Sequence, residues 1–446
     1  MGKITSKFRV FGWFLSGLLK RHLPWVLISF IVSVFIAVVA ISFYPVIAPI
    51  INPYKEKVGV VGEFSPSDLP LSVQSLVSSG LTSVTLEGSP SASLASSWST
   101  DNDGKIYTFK VNTDIIWHDG TNFSALDVNY NLKDAIVIPK DFETVEVRLN
   151  DPYVPLPVIL SKPLFKKGLI GVGLYKVKSL KLNGDKIEYL ELVPVSQKLP
   201  IKIFRFYQTE EAAITAFKLG EIDIIEDLSD PRELKDWSTV DIEEKVLLNR
   251  YVGLFFNTRN PNFFDKDTRQ LLSIATPAFY GNKPTGPISP LSWTYYPTVK
   301  QYNQDLELAK KRLEDSRFAT ESASITISTF QNLLPVAQKI QEDWKSIGLN
   351  STVKVENAVP ADFDVLLATQ EIPPDPDQYP FWHSTQDTIN ITGFADPRID
   401  KLLEDGRVTK DNDERLKIYA DFQRFLAEES PVAYLYYPRV YTVRRK

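Results

Sequence analysis

From Leu23 to Pro53 the chain carries no charged residue, and within that stretch Leu27, Phe30, Val34 and Val38 fall on successive helical turns. As a helix, Leu23 to Tyr44 rises about 33 Å, which matches a bilayer core. The run exceeds the roughly 7–15 apolar residues of a secretory signal. Val38-Val39-Ala40 still offers a small-residue cleavage site, so a cleaved signal stands as the alternative to an anchor. Upstream, Phe8, Phe11, Leu15 and Leu18 recur at helical spacing among Lys and Arg. That spacing fits a short helix lying on the membrane surface, with a disordered basic tail as the other reading. Downstream, Pro45, Pro49 and Pro53 cannot continue a helix and make a short extended link.

Beyond the link the periodicity switches repeatedly between helix and strand. Thr209 caps a predicted helix with Glu210 and Glu211 in its first turn, Gly220 ends it, and Ile222-Asp223-Ile224-Ile225 reads as a strand. A second unit opens at Pro335, puts Val336, Ile340, Trp344 and Ile347 on one face, closes at Gly348 and continues into an alternating strand over residues 351–355. Asp396-Pro397 caps a helix over 398–404, and 413–428 reads as another with Leu416, Tyr419, Phe422 and Leu426 inward. Residues 432–443, rich in Val and Tyr, read as a strand. Such alternation predicts an α/β architecture. Residues 89–99, rich in Ser and Pro, and the loop 281–292 are predicted to be irregular, and no internal repeat is visible.

Composition narrows the chemistry. With no cysteine, one methionine at position 1 and three histidines (His22, His118 and His383), the chain has no disulfide framework, thiolate metal site, cysteine nucleophile or cysteine-linked lipid. A His118/His383 metal site would rest on two imidazoles alone, so neither a metal nor another cofactor is expected. The five cations before residue 55 all lie in the first 21 residues, where no acid occurs; taking them from 50 Lys and Arg leaves 45 against 55 acids. A body of net charge −10 is a poor partner for nucleic acid. The basic segment before the apolar run and the acidic body after it orient the N-terminus to the cytoplasm and the body outside.

Catalytic motifs are wanting. There is no H-E-x-x-H, G-x-S-x-G or phosphate-binding glycine loop. Ser351 and Lys354 match S-x-x-K, but three residues apart on a strand they point to opposite faces. Carboxylate pairs leave a glycosidase open at the level of motif only. The expectation is a protein that is not an enzyme.

Six stretches, collinear along the outer portion, carry a resemblance. They are LASSW (94–98) with DGKIYTF (103–109), WHDGTNFSALDV (117–128), GVGLYKV (171–177), AITAFKLGEID (213–223), GPISPLSW (286–293) and DPDQYPFWHSTQ (375–386). Together they resemble the family 5 extracellular solute-binding proteins, the peptide- and nickel-binding class that feeds ATP-driven importers. The resemblance implies a two-lobed Venus-flytrap that closes by hinge motion on its ligand. It places the crossings near residues 249–258 and 431–437. The implied organisation is a cytoplasmic segment 1–22, an anchor 23–46, a linker 47–54, lobe I from 55–248 with 431–446 returning to it, and lobe II from 249–430.

The sequence departs from the family pattern in several places. It is shorter between Val128 and Gly171 and stops at Lys446, which implies a trimmed extra subdomain. Peptide binders of the family carry a Trp and an amine-gripping Asp shortly before the D-P-D run; here Thr369 and Ile372 fall at those places, and Glu371 is the nearest acid. The cysteine-linked anchor is also missing, and the apolar helix would replace it.

A receptor for many peptides must grasp what all share: backbone amides and two charged ends. Glu371, Asp375 and Asp377, in one Pro-stiffened loop, are candidates for the positive end, although Asp375 beside Pro376 also suits a turn and Asp377 a cap. Tyr379 and Trp382 are candidates for an aromatic wall, with core packing as the rival role for Trp382. His383, Trp293, Tyr251 and Asn257 complete the candidate cleft. The expected function is capture of oligopeptides outside the cell and delivery to an ABC permease and its ATPase, from a tether in the lipid bilayer. A nickel chelate or an oligosaccharide is the alternative ligand, and a sensor or scaffold without transport is the alternative class.

Overall fold

A computed structural model describes residues 54–446 other than 102, 197, 280, 282, 317 and 319–323, and before them 13, 17, 24, 25, 27–39, 41 and 42. The chain lays down β1 (Lys55–Val61), α1 (Leu71–Val77), and the short hairpin β2 (Thr82–Val84) and β3 (Pro90–Ala92). Next come β4 (Ala95–Thr100), β5 (Ile106–Val111), β6 (Ala135–Pro139), β7 (Thr144–Leu149) and α2 (Leu156–Ile159). It then returns through β8 (Tyr175–Asn183), β9 (Lys186–Pro194), β10 (Ile201–Tyr207), α3 (Glu210–Lys218), β11 (Ile224–Leu228) and β12 (Val240–Val246). The second half runs β13 (Arg250–Phe256), α4 (Lys266–Ile274), α5 (Leu306–Glu314), β14 (Ile325–Thr329), α6 (Leu334–Ser346), β15 (Ser351–Val355) and β16 (Val365–Glu371). It finishes with α7 (Tyr379–Trp382), α8 (Pro397–Val408), α9 (Asn412–Glu429), β17 (Val432–Tyr436) and β18 (Arg439–Arg445).

Three main sheets result. A seven-stranded sheet, in the order β12-β18-β11-β1-β10-β9-β8, and a four-stranded sheet, β4-β5-β7-β6, make the first lobe. A five-stranded sheet, β15-β14-β16-β13-β17, makes the second. The sequence of β13, RYVGLFF, is almost wholly apolar because the strand is buried on both faces. Val252, Leu254 and Phe256 pack in one cluster with α4, α5 and α6, while Tyr251 and Phe255 pack in the other with α7, α8 and α9.

Predicted caps and faces appear where local chemistry decides them. Thr209 accepts a hydrogen bond from the Ala212 amide at 3.2 Å, and Asp396 accepts from the Arg398 and Ile399 amides. Ile340 and Trp344 of α6 are buried, as are Tyr419, Phe422 and Leu426 of α9. Leu416, expected inward, is 41% exposed. Arg415 takes the inward place in that turn, with its guanidinium on the Gly406 carbonyl and on Asp375, and Leu416 falls beside it on the flank of the helix. Residues 89–99, expected to be irregular, instead hold β3 and most of β4, an edge strand with exposed serines and a register shift between Ala95 and Ser97. The expected strand over 432–443 is two strands in two sheets, broken at Tyr437-Pro438.

That break is the second crossing between lobes. Residues 250–256 and 432–436 both belong to the second sheet, paired with each other, so the changeovers fall at 247–249 and 437–438. The return to the first lobe therefore starts at Tyr437 and not at Pro431. The Leu247 amide donates to the Pro438 carbonyl at 2.8 Å, tying one crossing to the other.

Residues 27–39 are helical and exposed all round. Among the described residues no helix is long and apolar enough to cross a membrane. Leu23, Tyr44, the link 45–53 and Phe8, Phe11, Leu15 and Leu18 lie outside the described residues.

The GVGLYKV stretch has a packing reason. Gly173 donates its amide to the Val77 carbonyl at 2.8 Å, and a Cβ on Gly171 would penetrate that same carbonyl. Both glycines let the start of β8 press against the C-terminal end of α1. Gly171→Ala is expected to lower stability by about 1–3 kcal/mol in urea unfolding; an unchanged midpoint would show that the backbone yields there.

Candidate interlobe cleft

In open α/β sheets, ligands settle beyond the carboxyl ends of the parallel strands. Here β1, β10 and β11 are parallel in the first lobe, and β14 and β16 in the second. β16 ends against the first crossing, where the Ile372 amide donates to the Asn249 carbonyl at 2.8 Å. β11 ends opposite Tyr441, just after β18 leaves the second crossing. The carboxyl edges of both sheets thus meet at the hinge, and the loop that follows β16 lies between the lobes.

Each acid of that loop has a different fate. Glu371 is exposed at the strand end, 3.5 Å from the Arg250 guanidinium. Ile372 is buried. Asp375 is buried and takes two hydrogen bonds from Arg415, at 2.6 and 3.0 Å, while accepting the Asp377 amide at 2.9 Å. Burial, which lowers the Arg415 guanidinium, is outweighed by Asp375, so its affinity for the proton rises. Asp377 is buried too. One of its oxygens accepts from Arg407 Nε at 3.0 Å and from the Tyr153 hydroxyl at 3.2 Å; the other accepts the Tyr379 amide at 3.1 Å. Burial raises the Asp377 carboxyl and Arg407 opposes the rise. Burial also pushes the Tyr153 phenol up, which keeps it a donor.

Around this pair the rings stack. Tyr379 lies on His383 with centroids 4.0 Å apart, and the Arg407 guanidinium sits 4.1 Å from the Tyr379 ring and 5.0 Å from the Tyr153 ring. His383 Nδ1 accepts from the Thr385 amide at 3.2 Å, and Nε2 lies 3.5 Å from Glu404. Trp382 is buried behind the loop in the cluster that holds Tyr251, Tyr419 and Tyr434. The Trp382 indole nitrogen, the three tyrosine hydroxyls and the Gln378 amide nitrogen have no hydrogen-bond partner among the described residues.

The structure therefore brings Asp375, Asp377, Tyr379, Trp382 and His383 together, with Trp293 nearby at 5.9 Å from the Arg415 guanidinium. Trp293 also donates its amide to the Glu87 carbonyl of the first lobe at 3.1 Å. Tyr251 is in the core behind them. Asn257 is set apart: it follows the far end of β13, roughly 23 Å along the strand from Arg250, and donates to the Phe363 carbonyl at 2.8 Å. His118, bonded to the Gly173 carbonyl in the first lobe, is not brought to His383. Sequence reasoning missed Tyr153, Arg407 and Arg415. The available signal was two acids beside apolar residues on a strand-to-helix loop, since acids that fold inward need cations.

Arg415→Met would leave Asp375 buried and unpaired, at an expected cost of about 3–5 kcal/mol in unfolding free energy. Adding Asp375→Asn should recover part of that loss. An Asp375→Asn variant as stable as the parent would show that the carboxylate is free for ligand.

The model of the bacterial extracellular solute-binding proteins, family 5, matches residues 89–390. The oligopeptide-binding protein AppA of Bacillus subtilis is 23% identical, over 85% of this chain and 86% of its own. Among solved structures, the substrate-binding protein CtaP of Listeria monocytogenes superposes with a TM-score of 0.75 at 23% identity, covering 88% of this chain and 94% of its own. NikZ from Campylobacter jejuni, in complex with Ni(L-His), gives 0.73 at 24% identity, with the same coverage of 88% and 94%. These relatives are binding proteins and not enzymes, and the two-lobed α/β fold is theirs. With a family model spanning most of its two lobes, the chain belongs to the family 5 bacterial extracellular solute-binding proteins.

Proposed function

We propose that the protein captures oligopeptides outside the cell by closing its lobes and hands them to an ABC permease whose ATPase supplies the energy. The observation that carries this reading is the pair of crossings, tied by the Leu247–Pro438 hydrogen bond, on which two sheets turn their carboxyl edges toward each other. The peptide names of relatives such as AppA support the ligand class. Lobe I is residues 55–248 with the returning strand, and lobe II the segment between the crossings.

Within the cleft, Asp375 and Asp377 are occupied by Arg415 and Arg407. Both are also buried, whereas a peptide amine needs an acid that it can reach. Glu371 is the exposed acid of the loop, and we assign it the amine. We assign the aromatic surface of the cleft to Tyr379 and Trp293, with His383 stacked on Tyr379 and Trp382 packed behind the loop. Asn257 has no part in this assignment. The Ni(L-His) complex of NikZ keeps a metal chelate as the second ligand reading. The exposed apolar helix over 27–39 supports a tether that crosses the membrane from a cytoplasmic N-terminus.

Three outcomes test the proposal on the full chain. A library of short peptides at about 100 times the dissociation constant should stabilise it by roughly 2.7 kcal/mol. Glu371→Gln should weaken free-amine peptides and leave acetylated ones unchanged, as read by calorimetry. Equal weakening of both, or stabilisation by nickel–histidine alone, would overturn the peptide assignment. Membranes washed in alkaline carbonate should retain the full chain; its release would remove the transmembrane tether.

A further inference from the structure

Several protein groups join the two lobes directly across the cleft mouth. From the second lobe, Arg407 inserts its guanidinium between the Tyr379 ring of its own lobe, at 4.1 Å, and the Tyr153 ring of the four-stranded unit, at 5.0 Å. Asp377 receives Arg407 Nε and the Tyr153 hydroxyl on a single oxygen. The backbone joins in: the Val154 amide donates to the Arg407 carbonyl at 2.8 Å. One turn further on, Lys410 Nζ donates to the Asp101 carbonyl at 2.6 Å. A second point of closure lies at the β2–β3 hairpin, where the Glu87 carbonyl accepts the Trp293 amide and Gly88, with φ of +86°, packs on the Pro374 carbonyl. A Cβ at Gly88 would collide with that carbonyl.

We propose that these groups form a latch that holds the lobes shut without ligand, with Arg407, Asp377 and Tyr153 at its centre and the Glu87-Gly88 turn as its second point. The latch rests on the two-lobed fold and not on the identity of the solute. Its chemistry explains why the pieces must act together. Asp377 and Arg407 both belong to the second lobe, so their pairing does not itself require closure. Closure adds the Tyr153 hydroxyl to that charged oxygen and the Tyr153 ring to the free face of the guanidinium. Both additions are interactions with a charged group in a desolvated seam, where each is stronger than on an open surface. Opening exposes the ion pair to water and returns the phenol to solvent. The ligand then shifts an equilibrium already biased toward closure, and any partner that opens the receptor has to separate Tyr153 from Arg407. Arg407 is thereby a positioning residue, acting through the loop and not by touching solute.

The chain has no cysteine, so labels can be placed without background. Leu86 at the hairpin tip is 83% exposed, and Leu291 on the facing loop of the second lobe is 48% exposed. Spin labels on Leu86→Cys and Leu291→Cys of the full chain, freed of ligand by unfolding and refolding, should broaden each other's spectra. Adding Tyr153→Phe should lower the closed-to-open ratio about tenfold, the effect of one hydrogen bond to a charged group. Arg407→Met should lower it further, and Tyr153→Phe decides the matter where Arg407→Met fails to fold. Sharp spectra for the ligand-free parent, or a closed-to-open ratio that Tyr153→Phe leaves unchanged, would overturn the latch. Either result would leave peptide capture standing, because the measurement contains no peptide.

Discussion

Two carboxylates buried within three residues of each other constrain everything around the cleft. Asp375 and Asp377 follow a pair of prolines, sit beyond the end of a central strand and are removed from water. An isolated buried carboxylate costs several kcal/mol, so each must meet a cation. Arg415 on α9 and Arg407 on α8 are those cations. The requirement fixes where the two helices lie against the loop, and hence where α7 carries Tyr379, Trp382 and His383. It also leaves Glu371, outside the buried pair, as the acid that faces solvent.

The hinge has a comparable economy. One chain passes out through 247–249 and back through 437–438, and a backbone hydrogen bond joins the two passages. Because β13 and β17 pair immediately beyond them, a rotation of the lobes is confined to a few residues on each strand. The cleft mouth lies away from that axis, so contacts such as Tyr153 on Asp377 have the greater leverage on the angle between lobes. A receptor built this way separates the parts that bend from the parts that hold.

The α/β character, the capped helices and the order of the six motif stretches could be read directly from the chain, because caps and amphipathic faces are local. The return to the first lobe falls several residues later than expected, for a physical reason. Tyr and Val suit any strand, and nothing local says that 432–436 pairs with β13 while 439–445 pairs with β12 and β11. In the site, Asp375, Asp377, Tyr379, Trp382 and His383 share one loop and helix, so their proximity was legible. Their partners were not: Tyr153 comes from 224 residues away from Asp377, and Arg407 and Arg415 from the following helices. Tyr251 lies on β13 beside the first crossing and Asn257 just past that strand's other end, yet only the structure shows that Tyr251 points into the core and that Asn257 is set apart from the cleft.

Capture of peptides is the central claim, and what travels with the protein is its most direct measure. The full chain should be extracted from the membranes of the cell that makes it, examined by native mass spectrometry, and then denatured to release bound compounds. Short peptides of mixed sequence, lost on denaturation and rebound on refolding, are the predicted result. A single metal chelate or sugar in their place would contradict it.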